Sequence, residues 1–97
     1  MEYYIVEGMI QNAAGVDEAL MKEHKAYTQK AMDDKLILIA GLKSDLSGGI
    51  FLMQCESEEK LKTFLSGEPF HLHGVQDYRV IPFDAHYIGD LADNQTD

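Results

Sequence analysis

The chain has one cysteine, no tryptophan, two prolines and a single arginine, Arg79. One cysteine excludes an intrachain disulfide. Cys55 closes the apolar run IFLMQC, a setting for a small buried hydrophobe and not for an exposed nucleophile. Basic residues are scarce: 8 Lys and Arg stand against 17 Asp and Glu, a formal charge of -9. Nucleic-acid binding needs Lys and Arg to neutralise phosphates, so this surface argues against it, and equally against adsorption to an anionic membrane. No apolar run approaches the ~18 residues of a membrane span, and the opening MEYYIVEGMI lacks the basic and long apolar regions of a secretion signal. A cytoplasmic location is the resulting expectation. Gly48-Gly49 fits no phosphate-binding loop, and neither a CxxC pair nor a Ser-His-Asp arrangement is present.

What is present suits one small domain. The 97 residues are 45% hydrophobic and 26% charged, enough apolar content to fold but only into a thin core. YYIVEGMI (residues 3–10) is rich in β-branched and aromatic residues and reads as a strand. QNAAG follows as a loop. From Val16 to about Asp34 the apolar positions Val16, Leu20, Tyr27 and Ala31, with His24 among them, recur at steps of three and four, which is a helix with Asp17 at its start. KLILIAGLK (35–43) is too short for another long helix and reads as a buried strand. DLSGG supplies a turn, and residues 50–55 return as the next strand. Ser57 caps a second helix whose stripe is Leu61, Phe64 and Leu65 and whose stop is expected near Gly67 and Pro69. QDYRVIPF (76–83) is a last strand, edge-like because of Pro82. Residues 1–85 thus form one domain, and residues 86–97 an acidic tail.

The order β-α-β-β-α-β predicts an α+β, ferredoxin-like fold: an antiparallel sheet with two helices on one face. In IFLMQC and LILIA both alternating faces are apolar, yet two helices cover one side only. The other side is expected to pack against a second copy, giving a homodimer through the sheet face.

Few residues carry chemistry. His24 occupies an apolar stripe where a hydrophobe is expected; it reads either as a hydrogen-bonded core histidine or as a general acid/base. Glu68, at the end of the second helix, can approach the middle of the first if both lie side by side; its alternative is a solvated helix-end carboxylate. His71 and His73 flank a leucine. In an extended segment they project on one side and, with Glu68, suit a metal; they equally suit pocket lining or incidental loop positions. An H-x-H pair alone is a weak signal, and no metal or other cofactor is assigned.

The chain resembles the YciI-like (YCII-related) family of small α+β proteins over residues 1–83. The resemblance lies in MEYYIV, the H-x-x-Y of His24 to Tyr27, LILIAG, GEPFHLHGV against a D-P-[FY]-x-x-x-G-[VIL] segment, and RVIPF. It implies a dimeric α/β barrel with an active site built from a helix histidine and an acid before a Pro-aromatic pair, here His24 and Glu68. Some members of that family are lyase- or dehydrochlorinase-type enzymes of aromatic breakdown. By resemblance the expected function is cofactor-free proton abstraction, with isomerisation or elimination, on a small aromatic-derived or lactone-like molecule. Tyr27, Tyr78, His71 and His73 would then bind the substrate. The alternative is a non-catalytic small-molecule-binding dimer using the same pocket. Three departures stand out: the acid is Glu68 and not Asp, Leu42 replaces the proline of A-G-P, and Met21 replaces an arginine one turn before the histidine.

Overall fold

A computed structural model describes residues 1–89. It runs β1 (Glu2–Ile10), a 3-10 turn (Ala13–Gly15), α1 (Glu18–Asp33), β2 (Ile37–Leu42), β3 (Gly49–Cys55), α2 (Glu58–Ser66), α3 (Pro69–Leu72) and β4 (Gln76–Phe83). The four strands form one antiparallel sheet in the order β2-β3-β1-β4, so β4 is an edge strand and Pro82 interrupts no second ladder. This is the expected α+β, ferredoxin-like arrangement. Residues 90–97, most of the tail expected from 86 onward, lie outside the described residues.

Local chemistry sets the element ends. The Asp17 carboxylate accepts from Leu20 N–H at 2.8 Å and opens α1, and Ser57 Oγ accepts from Lys60 N–H at 3.2 Å to open α2. Asp34 ends α1, and Lys35 turns the chain with φ at 62°, so β2 begins two residues later than the apolar run suggests. β2 also slips register between Ile37 and Ile39, a bulge at Leu38. In the β2–β3 hairpin a Cβ at residue 48 would overlap the Gly8 carbonyl oxygen, so only glycine lets the turn lie against β1.

Strand alternation divides the sheet into two faces. Tyr4, Val6, Phe51 and Met53 point to the helix side and join Ala31, Ile37, Cys55, Leu61 and Leu65 in the main core. Cys55 is buried there, as its apolar setting implies. A smaller cluster of Leu20, Phe70 and Val75, with Val16 packed against it, lies at the α1–α3 contact. On the opposite face Ile39, Ile50, Ile81 and Phe83 remain at least 38% exposed. At one end of that face Glu7 ties Lys43 at 2.9 Å to Arg79 at 3.1 Å, which accounts for the only arginine. At the other end Ala85, Tyr87 and Ile88 border a hollow of about 210 Å³ with Tyr3, Leu38, Leu52 and Phe83, so the segment after β4 bends onto this face. No helix among the described residues is long and apolar enough to cross a membrane.

The junction after α2 departs from expectation. Gly67 ends α2, but Pro69 starts α3 and does not lead directly into a strand. A proline at the first helical position gives up an N–H that has no partner there anyway. His71 therefore sits on α3 and His73 at its C-terminal cap; the extended segment that would point both imidazoles one way does not exist. Two positions apart on a helical turn, side chains diverge.

Candidate active site

The two helices lie side by side on the sheet, and this brings together residues 44 positions apart in sequence. His24, in the middle of α1, places Nδ1 2.6 Å from Oε2 of Glu68. Glu68 occupies the two-residue gap between α2 and α3, where it caps the latter: the same Oε2 accepts from Phe70 N–H at 3.2 Å. Its other oxygen, Oε1, accepts from the Tyr78 hydroxyl on β4. The carboxylate is 1% exposed, so three converging donors and an almost dry setting define it.

These contacts decide its ionisation. Burial pushes the Glu68 carboxyl up, but hydrogen bonds from His24, Tyr78 and the Phe70 amide outweigh it, and the group ends below its ordinary 4.5. Glu68 is therefore a carboxylate at neutral pH. Burial and the Glu68 charge both push the Tyr78 hydroxyl up, which keeps it protonated and donating. A carboxylate on Nδ1 fixes the imidazole as the tautomer carrying its proton there and leaves Nε2 as the basic nitrogen. No described residue hydrogen-bonds Nε2.

The His24 ring lies flat on Phe70, with centroids 3.8 Å apart and planes 3° from parallel. Both residues line a cleft of about 270 Å³ whose other walls include Ile10, Thr28, Leu42, Phe51 and Gln76. Gln76 is 4% exposed and held at both ends of its amide: its oxygen accepts from Gly49 N–H at 2.9 Å and its nitrogen donates to the Tyr78 hydroxyl at 3.1 Å. A polar chain thus runs from the β2–β3 hairpin through Gln76, Tyr78 and Glu68 to His24.

The remaining residues singled out in the sequence are dispersed. The Tyr27 hydroxyl donates to the Phe64 carbonyl at 2.8 Å and its ring stacks on Phe64, tying α1 to α2. Burial and Glu68 push that hydroxyl up also. Tyr78 borders a second, larger hollow of about 480 Å³ with His71, Lys62, Leu65 and Arg79. His71 approaches Asp77 at 3.7 Å with both side chains exposed, and His73 is exposed. Among the described residues no three His, Cys, Asp or Glu side chains cluster to hold a metal. Phe70 and Gln76 are the site residues that sequence reasoning passed over. An aromatic and an amide carry no titratable signal; only the place of Phe70 in the Pro-aromatic pair hinted at it.

Comparison with known proteins agrees with this geometry at the level of fold and family. The description "YCII-related domain" matches residues 1–84. No curated protein matches the chain in sequence. Among solved structures it is similar to the 5-chloro-2-hydroxyhydroquinone dehydrochlorinase TftG of Burkholderia phenoliruptrix AC1100, in complex with 2,5-dihydroxybenzoquinone. The TM-score is 0.65 at 14% identity, over 84% of this chain and 93% of that one. It is similar too to an antibiotic biosynthesis monooxygenase, with a TM-score of 0.57 at 17% identity, over 88% of this chain and 98% of the other. At such identities the likeness is one of fold. The span of the sequence match carries the assignment: this chain belongs to the family of YCII-related domains.

Proposed function

We propose that the protein is a small acid–base enzyme in which His24 is the general base and Glu68 its orienting carboxylate. The single observation that carries this reading is the 2.6 Å contact between His24 Nδ1 and a carboxylate that is 1% exposed, beside a cleft the histidine lines. Core packing alone has no use for a buried ion held by three donors, because desolvating a carboxylate costs several kcal/mol. A functional site does use it. Glu68 stabilises the imidazolium that forms when Nε2 takes a proton, and the same imidazolium returns the proton to product.

The reaction is proton removal from a hydroxyl or from carbon beside a carbonyl of a small aromatic-derived or lactone-like substrate. The freed electron pair forms a new π bond. In the eliminating case the halogen sits on a saturated ring carbon, as in the keto tautomer of a haloaromatic diol, and leaves as halide with its bonding pair as the π bond forms. In the isomerising case the electron pair returns to another carbon, which His24 reprotonates. The acid–base step as written uses only side chains of this chain. The dehydrochlorinase named above has the same fold and supports trying haloaromatic diols first. The protein works as a cytoplasmic homodimer in which the apolar sheet face, with Ile39, Ile81 and Phe83 part-exposed, packs on its copy.

The test is turnover of chlorinated hydroquinones and small lactones by wild type and His24→Ala. General-base loss should lower kcat by roughly 10²–10⁴-fold. Equal turnover by both proteins refutes the role of His24. Wild-type binding without turnover would replace the reading with small-molecule binding alone.

A further inference from the structure

The imidazole of His24 rests on a phenyl face, and that contact does more than fill space. Ordinary aromatic pairs in proteins hold their centroids about 4.5–7 Å apart. Here the separation is 3.8 Å at 3°, which puts the whole imidazole over the negative face of Phe70. A cation within ~6 Å of such a face is attracted by the ring quadrupole, whereas a neutral imidazole gains little from it. The contact therefore favours one protonation state of His24 over the other.

Phe70 is placed with unusual economy. Its backbone N–H donates to Glu68 Oε2, the oxygen that also meets His24 Nδ1, while its ring carries the imidazole. The ring is 8% exposed and packs with Leu20 and Val75, so it cannot swing away from the histidine without opening that cluster. One residue thus touches both halves of the pair: by its N–H it anchors the carboxylate, by its ring it underlies the base.

We propose that Phe70 is a positioning residue that stabilises the imidazolium form of His24 through its ring face, so that charge developing on the base during proton abstraction meets a preorganised partner. This rests on the acid–base reading above and deepens it. The effect is differential, because the stabilisation grows only as the proton arrives. The titratable groups facing the pair are Glu68 between α2 and α3, Tyr78 from β4, which donates to the carboxylate, and Tyr27 from α1, which feels the carboxylate charge while donating to the Phe64 carbonyl. Gln76 from β4 and Thr28 from α1 itself are neutral.

The experiment replaces Phe70 with mono-, tri- and pentafluorinated phenylalanine. These rings keep the shape of phenyl while their face becomes progressively less negative, and the facing titratable groups are untouched. Histidine titration is followed by NMR in each folded protein, with melting temperature as the check that packing is retained. The His24 midpoint should fall stepwise with fluorination, by about half to one pH unit across the series. A midpoint that stays flat overturns the proposal, because a purely packing role would not respond to ring electronics. The two readings fail separately. A midpoint that follows fluorination in a protein that turns over no substrate supports the stack and removes the catalytic reading. Turnover by wild type with a flat series leaves His24 as base and Phe70 as filler. If shape proves imperfectly kept, Phe70→Tyr, which preserves the negative face, should restore the wild-type midpoint, and a midpoint matching the pentafluoro protein would refute the proposal again.

Discussion

Replacing Glu68 by glutamine tests whether the buried carboxylate is ionised and held by its donors. The substitution keeps shape and removes charge. Three donors converge on the native group: His24 Nδ1–H at 2.6 Å, Phe70 N–H at 3.2 Å and the Tyr78 hydroxyl. Hydrogen bonds to a charged group contribute roughly 1.5–3 kcal/mol each, against several kcal/mol for desolvating the carboxylate. That the carboxyl lies below its ordinary 4.5 means the donors win. An amide at this position is uncharged and offers one oxygen, so every bond loses its charge assistance and the group facing the NH₂ must turn from donor to acceptor. The expected loss is roughly 2–4 kcal/mol at neutral pH. In a domain of this size that lowers the melting temperature by about 10–30 °C.

The sign of the pH dependence follows from the lowered value. A carboxyl with its folded pKa below the unfolded 4.5 contributes its full stability above that pH and loses it as pH falls through the folded value. Urea melts of wild type and Glu68→Gln should therefore differ throughout the range above about pH 4.5 and converge in acid. A gap as wide at about pH 3 as at pH 7 would show that Glu68 folds protonated, and the ionised pair would have to be abandoned. No gap at neutral pH would refute the donor count itself.

Two further outcomes are expected. A Cβ on residue 8 would overlap Gln76 Oε1, so Gly8→Ala should push the amide off Gly49 N–H and the Tyr78 hydroxyl; overpacking of this kind costs about 1–3 kcal/mol, and hydrogen exchange at the Gly49 amide should rise. Leu52→Glu puts a charge on the sheet face opposite the helices, between Ile5 and Ile39, and should convert a dimer to monomers by sedimentation while leaving the protomer folded. A wild type that sediments as a monomer would contradict the assembly outright.

Most of the architecture was legible because it rests on local rules. β-branched and aromatic content and short apolar runs marked the strands, and the bounds of β4 agree with QDYRVIPF to the residue. Asp17 and Ser57 announced the two long helices as caps. Both departures come from short-range geometry that periodicity does not encode. Lys35 spends the start of an apolar run on a left-handed turn, and α3 is four residues long, too short to show any period. Pro69 reads as a terminator by its missing N–H, although the same deficit suits a helix start. The meeting of His24 and Glu68 was legible through the fold, which sets helices from the two halves of the chain side by side, and through the family resemblance; their spacing in sequence says nothing. Phe70 and Gln76 were invisible for another reason. Their roles depend on which atoms they face, and neither residue type advertises chemistry.

Glu68 serves as helix cap and as partner of the histidine with the same oxygen. A helix of a single turn has no standing of its own in water, so α3 persists only while its cap and its packing against α1 persist. The converse also holds: when that turn frays, the carboxylate loses an anchor at the moment the stacked ring beneath the imidazole departs. Competence of the site is thereby tied to one of the least cooperative pieces of backbone in the molecule. The fraction of time the pair is assembled becomes a local opening equilibrium, separate from global unfolding. The Phe70 amide proton, donated to the oxygen that holds His24, is its natural reporter.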